Sequence, residues 1–325
     1  MILAALPARA AAPPPDAINR GIVELETGRT AGISVRIAED LADIVDDGAT
    51  RRVLPVVGRT ALQNILDLRL LRGVDLAILQ TDVLDYARQQ NPGIETWLTY
   101  VARLYNEEFH LLARPDIRTV ADLANRKVNF DRHGAGTEIT ASRLFNLLSI
   151  PVVPANDDQE LALARLRRGE IAALAFVSGK PAPLFRGLGG GNGLHFLSIP
   201  LNPAVIGAYV PARLTPADYP GLVPPDHPVD TIAVGTVLAV ANLQDVSDRY
   251  RNVANFVDAF FGGFPALLQP GHHPKWREVN IAAELPGWRR FPPAADWLQR
   301  NAGAAAAPDL QDLNAIFARF AGRHP

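Results

Sequence analysis

Apolar runs of strand type alternate with helical periodicities along most of this chain, and the alternation stops and restarts once. That pattern limits the fold more than any single motif. A strand, a crossover helix and a second strand imply parallel pairing with helices over both faces of the sheet. Residues 21–26 read as a first strand, followed by a helix with Ile37, Leu41, Ile44 and Val45 on one face. Residues 53–57 and 75–79 read as the next strands, with a helix carrying Leu62, Ile65 and Leu66 between them. A long extended stretch, 101–113, precedes the restart. Strand 128–130 then leads to helices over 137–148 and 158–168 and to strands over 171–177 and 195–199. A Pro-rich stretch, 211–228, precedes a long apolar strand, 231–240, and a helix through Phe256 and Phe260. The tail 269–293 reads as irregular, with a last helix near 310–320. The expected fold is therefore α/β, with two lobes joined by two linker strands and a cleft between them. Residues 18–113 and 230–325 are assigned to lobe 1 and 114–229 to lobe 2, after a leader segment, 1–17.

A chain of 325 residues is long enough for two such units. Its formal charge of -2 offers no field for nucleic acid, so any charge used in recognition is local. Cysteine is absent, which removes disulfides, thiolate metal sites and cysteine nucleophiles. No apolar run approaches the ~20 residues of a membrane-spanning helix. The opening MILAALPARAAAPPPD, with its Ala-Arg-Ala triplet and Pro-rich spacer, reads as the tail end of a secretory signal and points to export to the periplasm.

The catalytic signatures fail one by one. GLGGGNG at 187–193 breaks the spacing of a dinucleotide loop and precedes a strand, so it reads as a flexible turn. Gly179-Lys180-Pro181 lacks the rest of a phosphate loop, and Ser178 has Phe176 where a nucleophile elbow needs glycine. His272 and His273 are adjacent and read as surface or structural residues, so no metal is expected. Glu107 and Glu108 are adjacent on an extended stretch and must face opposite sides, which spoils them as an acid/base pair. His110 and His227 stand alone.

The strand-end turns are more informative. KVNFDRHGAGTEIT, 127–140, reads as a strand, a glycine loop and a helix start with Arg132 and His133 just before it. Backbone N–H groups converging at a helix N-terminus suit a carboxylate or phosphate. Three turns share the character: Thr27-Gly28-Arg29-Thr30, Gly58-Arg59-Thr60 with Asn64 beyond, and Gln80-Thr81-Asp82. In the second unit Phe176, Val177, Ser178, Gly179 and Lys180 end a strand. Each alone is an ordinary turn. Five at strand ends in two lobes, with no catalytic group among them, point to a ligand cleft.

Five stretches resemble the TAXI-type solute-binding receptors of tripartite ATP-independent periplasmic (TRAP) transporters: GRTALQNILDLRLLRGVDLAILQTDVL, LYNEEFHLLAR, VNFDRHGAGTEITA, LRRGEIAALAFVSGKP and VDTIAVGTVLAVAN. The resemblance covers about residues 20–260. It implies a type II periplasmic binding fold that closes on a small carboxylate, such as glutamate, a related dicarboxylate or a 2-oxo acid, and delivers it to membrane permease subunits. Carried over by position, the implied contacts are Thr27 and Gly28, Thr60 and Asn64, Gln80 to Asp82, Gly134, Ala135, Gly136 and Thr137, and Phe176 to Lys180. Two departures stand out. The first loop lacks the aromatic residue usual there, and Thr60 stands where serine is usual. Arg29 and Arg59 add charge beside the cleft. The expected pose sets the ligand carboxylate on the 134–137 helix start, assisted by Lys180 or Arg132, with Asn64, Gln80 and Thr81 binding from the other lobe. The chain is thus expected to be a monomeric binding protein without cofactor, metal or catalysis. The rival is a cytoplasmic enzyme on the same two-lobed fold, for which no positioned nucleophile or acid/base pair is visible.

Overall fold

The computed structural model describes residues 21–189, 193–243, 245 and 247–301. The expected leader and the helix near 310–320 lie outside these residues, as does part of the 187–193 glycine loop. Ten strands form one continuous sheet in the order β2-β1-β3-β10-β4-β7-β5-β6, with β8 beside β4 and β9 beside β10. On one side β1 (Ile22–Thr27) lies parallel to β2 (Arg52–Val57) and β3 (Val74–Gln80). On the other, β5 (Lys127–Asn129) lies parallel to β6 (Val153–Ala155) and β7 (Ala173–Ser178). These two parallel patches are those the strand–helix alternation predicts. Two long strands unite them: β4 (Leu98–Ala113) and β10 (Val229–Ala241) run antiparallel to each other, β10 beside β3 and β4 beside β7. The two linker strands expected between the lobes are this seam, where chains crossing in opposite directions pair with each other.

Each patch is covered on both faces. α1 (Ser34–Val45) packs Ile37, Leu41 and Val45 against Val253, Phe256 and Phe260 of α7 (Asp248–Leu267). On the opposite face α2 (Ala61–Leu70) and α3 (Thr81–Gln90) bury Ile65, Leu68, Val83 and Leu84 against Leu79 and Val237. In the second patch α4 (Gly136–Leu147) buries Leu144 and Phe145 near Val128 and Phe130, and α5 (Gln159–Arg167) buries Ala162 and Leu166 beside Leu174. Each fully buried side chain of this size contributes about 1.5–3 kcal/mol. Thus i, i+3, i+4 spacing in the sequence becomes two three-layered lobes.

Four elements escape the sequence pattern, among them β6, which falls between two helices that the pattern runs together. β9 (Val210–Leu214) includes Pro211, which lacks a ladder N–H and is tolerated because β9 has a partner on one side only. α6 (Pro203–Ile206) is a single turn capped by Asn202, and α8 (Pro292–Arg300) begins on two prolines at the end of the stretch expected to be irregular. Among the described residues no helix is long and apolar enough to cross a membrane.

Candidate ligand cleft

The lobes meet across a cleft that encloses about 110 Å³ at the carboxyl ends of β1, β2, β3, β5 and β7. Lobe 1 lines it with Thr27, Gly28, Arg29, Gly32, Ser34, Arg59, Thr60, Asn64 and Gln80. Lobe 2 brings Asp131, Ala135, Gly136, Thr137, Gln159, Glu160, Phe176, Val177 and Ser178, and the crossing strands add Glu107 and Thr236. The lobes are drawn together. Leu62 N–H of α2 donates to the Gly134 carbonyl at 3.1 Å, and Leu184 N–H donates to the Ala31 carbonyl at 3.2 Å. Asp82 of α3 accepts from Thr140 Oγ1 at 2.7 Å and Tyr209 OH at 3.2 Å, both from lobe 2.

Two glycines make the approach possible. A Cβ on Gly136 would lie 1.5 Å from Gln80 Oε1, so glycine lets the Gln80 amide pack directly on the start of α4. Gly134 adopts φ +79°, the left-handed backbone that turns the loop into α4. α4 then begins at Ala135 without a side-chain cap, as α1 does at Ile33, so both helix starts present backbone donors at the cleft. The hydroxyls behave differently. Thr60 caps α2 through Gln63 N–H, Ser34 Oγ accepts from Gly28 N–H, and Thr137 Oγ1 accepts from Val177 N–H.

The implied contacts divide. Thr27, Gly28, Arg29, Thr60, Asn64, Gln80, Ala135, Gly136, Thr137, Phe176 and Val177 line the cleft. Thr81, Asp82, Arg132, Gly134, Gly179 and Lys180 do not, and each has another use. Lys180 Nζ is held by Asp218 at 2.9 Å and by the Arg213 carbonyl at 2.7 Å, away from the cavity. Arg132 pairs with Asp158, and His133 Nδ1 meets Glu138 Oε1 at 2.8 Å, so both basic neighbours of the loop have local partners. A Cβ on Gly179 would lie 2.2 Å from Ile33 Cδ1, which makes it a packing position. Asp82 holds the lobes together, and the Thr81 methyl packs near Gly235. The cations left at the cleft are Arg29 and Arg59, both exposed and without an ion pair among the described residues.

Sequence reasoning passed over the acidic side. Glu107 lies on the crossing strand β4, faces the cleft and accepts from Gln80 Nε2 at 2.7 Å and from the Tyr105 hydroxyl at 3.4 Å. Burial lifts its carboxyl to about 7. Burial likewise raises Asp131. Behind Thr27, Glu26 is lifted to about 7 by burial and by the neighbouring Asp67 carboxylate. No motif marks Glu107 or Gln159; the only signal was strand alternation, which requires Glu107 and Glu108 to face apart.

Residues 25–260 match the sequence pattern of the NMT1-like family. This chain belongs to that family. Among solved structures, the periplasmic binding protein BugD superposes with a TM-score of 0.52 at 10% identity, over 87% of this chain and 95% of that one. The alkanesulfonate-binding protein SsuA from Xanthomonas axonopodis pv. citri, bound to MOPS, aligns at 14% identity over 87% and 92% with a TM-score of 0.47. An ancestral arginine-binding protein bound to arginine aligns at 13% identity over 77% and 97%, with a TM-score of 0.48. The NMT1-like chain has the two-lobed fold of periplasmic binding proteins.

Proposed function

We propose that this protein is an exported, monomeric receptor of TAXI type that captures a small carboxylate in the cleft and hands it to the permease of a TRAP transporter. The lobes divide as 18–113 with 230–325 and 114–229, and the ligand bridges them. One observation carries the carboxylate: two helix starts without side-chain caps, at Ser34 and at Gly136–Thr137, open on the same cleft as Arg29 and Arg59, which form no ion pair among the described residues. Backbone N–H groups at a helix start and a guanidinium are the groups that hold an anion. The five stretches that resemble TAXI receptors support the transporter assignment. Closure follows from ligand affinity, because a ligand touching both lobes binds the closed state more tightly.

A thermal-shift screen against amino acids, dicarboxylates and 2-oxo acids tests this. A carboxylate ligand raises the melting temperature with its concentration over its dissociation constant. Stabilisation by neutral solutes alone, with none by any carboxylate, contradicts it. The rival enzyme would use Glu107, a carboxyl near 7 in a cleft, as a general base. Recovering the stabilising solute unchanged after long incubation with the protein separates capture from turnover.

A further inference from the structure

The lobes also meet outside the cleft, along a seam between α3 of lobe 1 and α4 of lobe 2. The packing there crosses over from one lobe to the other. Ile139 of α4 is 8% exposed and sits in the lobe 1 cluster with Leu79, Val83 and Leu84. Ala31 of lobe 1 sits in turn among Phe176 and Phe185 of lobe 2. Asp82, in the first turn of α3, is 5% exposed. Its Oδ2 accepts from the hydroxyls of Thr140, next to Ile139 on α4, at 2.7 Å and of Tyr209 at 3.2 Å. Both hydroxyl-bearing residues are buried as well. Arg143, one turn further along α4, lies 5.5 Å over the Tyr209 ring. Burial pushes the Asp82 carboxyl up, while the two hydroxyls and the Arg143 guanidinium pull it down. Asp82, Ile139, Thr140, Arg143 and Tyr209 all lie outside the lining of the cleft.

We propose that this seam is a latch: Asp82, without touching the ligand, sets the fraction of molecules whose lobes are closed, and through it the affinity of the cleft. The inference rests on the reading of the cleft as a ligand site and adds the protein's own share of closure. Separating α3 from α4 returns Asp82 to water, where a carboxylate is fully solvated. Closing strips that water, and the two hydroxyls replace it. The carboxylate thus makes closure conditional on Thr140 and Tyr209. Without these donors a buried charge opposes closure, although each lobe keeps its own core. With donors and acceptor all replaced by apolar groups of like shape, nothing polar is stranded, and the Ile139 packing closes the seam again. Apparent affinity follows, because a ligand that binds the closed state is weakened in proportion as the closed fraction falls.

The test uses the full chain, and its first readout requires no ligand. The sequence has no cysteine, so Leu70→Cys on lobe 1 and Asn146→Cys on lobe 2, both at exposed positions, carry two spin labels whose separation reports closure. In this background the short-distance population should dominate. Thr140→Val with Tyr209→Phe should move most molecules to longer distances, and Tyr209→Phe alone a smaller share. Adding Asp82→Leu to the pair should bring the short distances back. A double variant with the distances of its parent overturns the latch, as does a triple variant as open as the double. Should the double variant not fold, distances unchanged by Tyr209→Phe alone overturn it. Affinity is the second readout. The dissociation constant of the best carboxylate of the screen should rise about tenfold in the double variant and return to within about threefold in the triple. Unchanged affinity in a double variant that has opened overturns the proposal while leaving carboxylate capture standing. If the distances move as expected and no carboxylate binds, the latch stands and carboxylate capture falls.

Discussion

Glu107 and Glu108 are neighbours on β4, equally buried, and they have opposite fates. Glu108 faces away from the cleft, where Lys275 Nζ meets its Oε1 at 2.6 Å and Lys180 N–H meets its Oε2 at 3.0 Å. Lys275 also holds Glu278 at 2.8 Å, so that region is a completed ion-pair network tying the tail, the crossing strand and lobe 2. Glu107 faces the cleft, where an amide and a long contact to a phenol are its hydrogen-bond partners and no cation pairs with it. The difference teaches how the protein separates structure from recognition. On one face of the strand the carboxylate is matched by a cation; on the other it is buried at the cleft with neutral partners among the described residues.

The largest effect should come from breaking the completed side. Lys275→Ala leaves Glu108 buried without its cation and should cost about 3–5 kcal/mol in urea unfolding, as removing one member of a buried pair does. A cost under about 1 kcal/mol would erase the contrast between the two faces. Next comes the open side, with the opposite sign. Glu107 and Glu26 are raised from ordinary values of 4.5 to about 7. Between those values the unfolded chain has lost protons that the folded state retains. Their contribution therefore lowers stability as pH rises from about 4.5 to about 7, and it is flat above. Glu107→Gln should remove its share, matching wild type near pH 4 and exceeding it by on the order of 2 kcal/mol above pH 7. Equal slopes in the two proteins would contradict this. A third step tests closure. Gly136→Ala places a methyl where Gln80 Oε1 lies, forcing that amide off Glu107. Affinity for the best ligand of the screen should fall at least about tenfold while the melting temperature of the free protein stays within a few degrees. The smallest effect belongs to the mouth: Arg29→Ala, at an exposed and screened cation, should weaken binding about threefold and reduce its salt dependence.

The sequence revealed those parts of the molecule that depend on local chemistry. Helical spacing placed α1, α2 and α4, and the polar turns at Thr27, Thr60, Gln80 and Gly136 all reach one cleft because a βα unit puts its turns at the carboxyl end of its strands. What stayed hidden depends on long-range pairing. Lys180 looked like a free ammonium because Asp218, which holds it, lies 38 residues away. Arg132 looked like part of an anion site because Asp158, which pairs with it, lies 26 residues away, whereas the partner of His133, Glu138, stands in the same short stretch. Glu107 reaches the cleft only because β4 crosses between the lobes, and the Asn64 and Gln159 amides are oriented by partners on separate strands. Basic residues near a glycine loop thus overstated the positive character of a site that Glu107, Asp131 and Glu160 also line.

A matched pair of ligands tests the central claim most directly. Two helix starts without side-chain caps open on the same cleft as Arg29 and Arg59. Calorimetric titration should show the best carboxylate ligand of the screen binding at least about tenfold more tightly than its uncharged primary amide. An amide that binds as tightly as its carboxylate would contradict an anion held in this cleft.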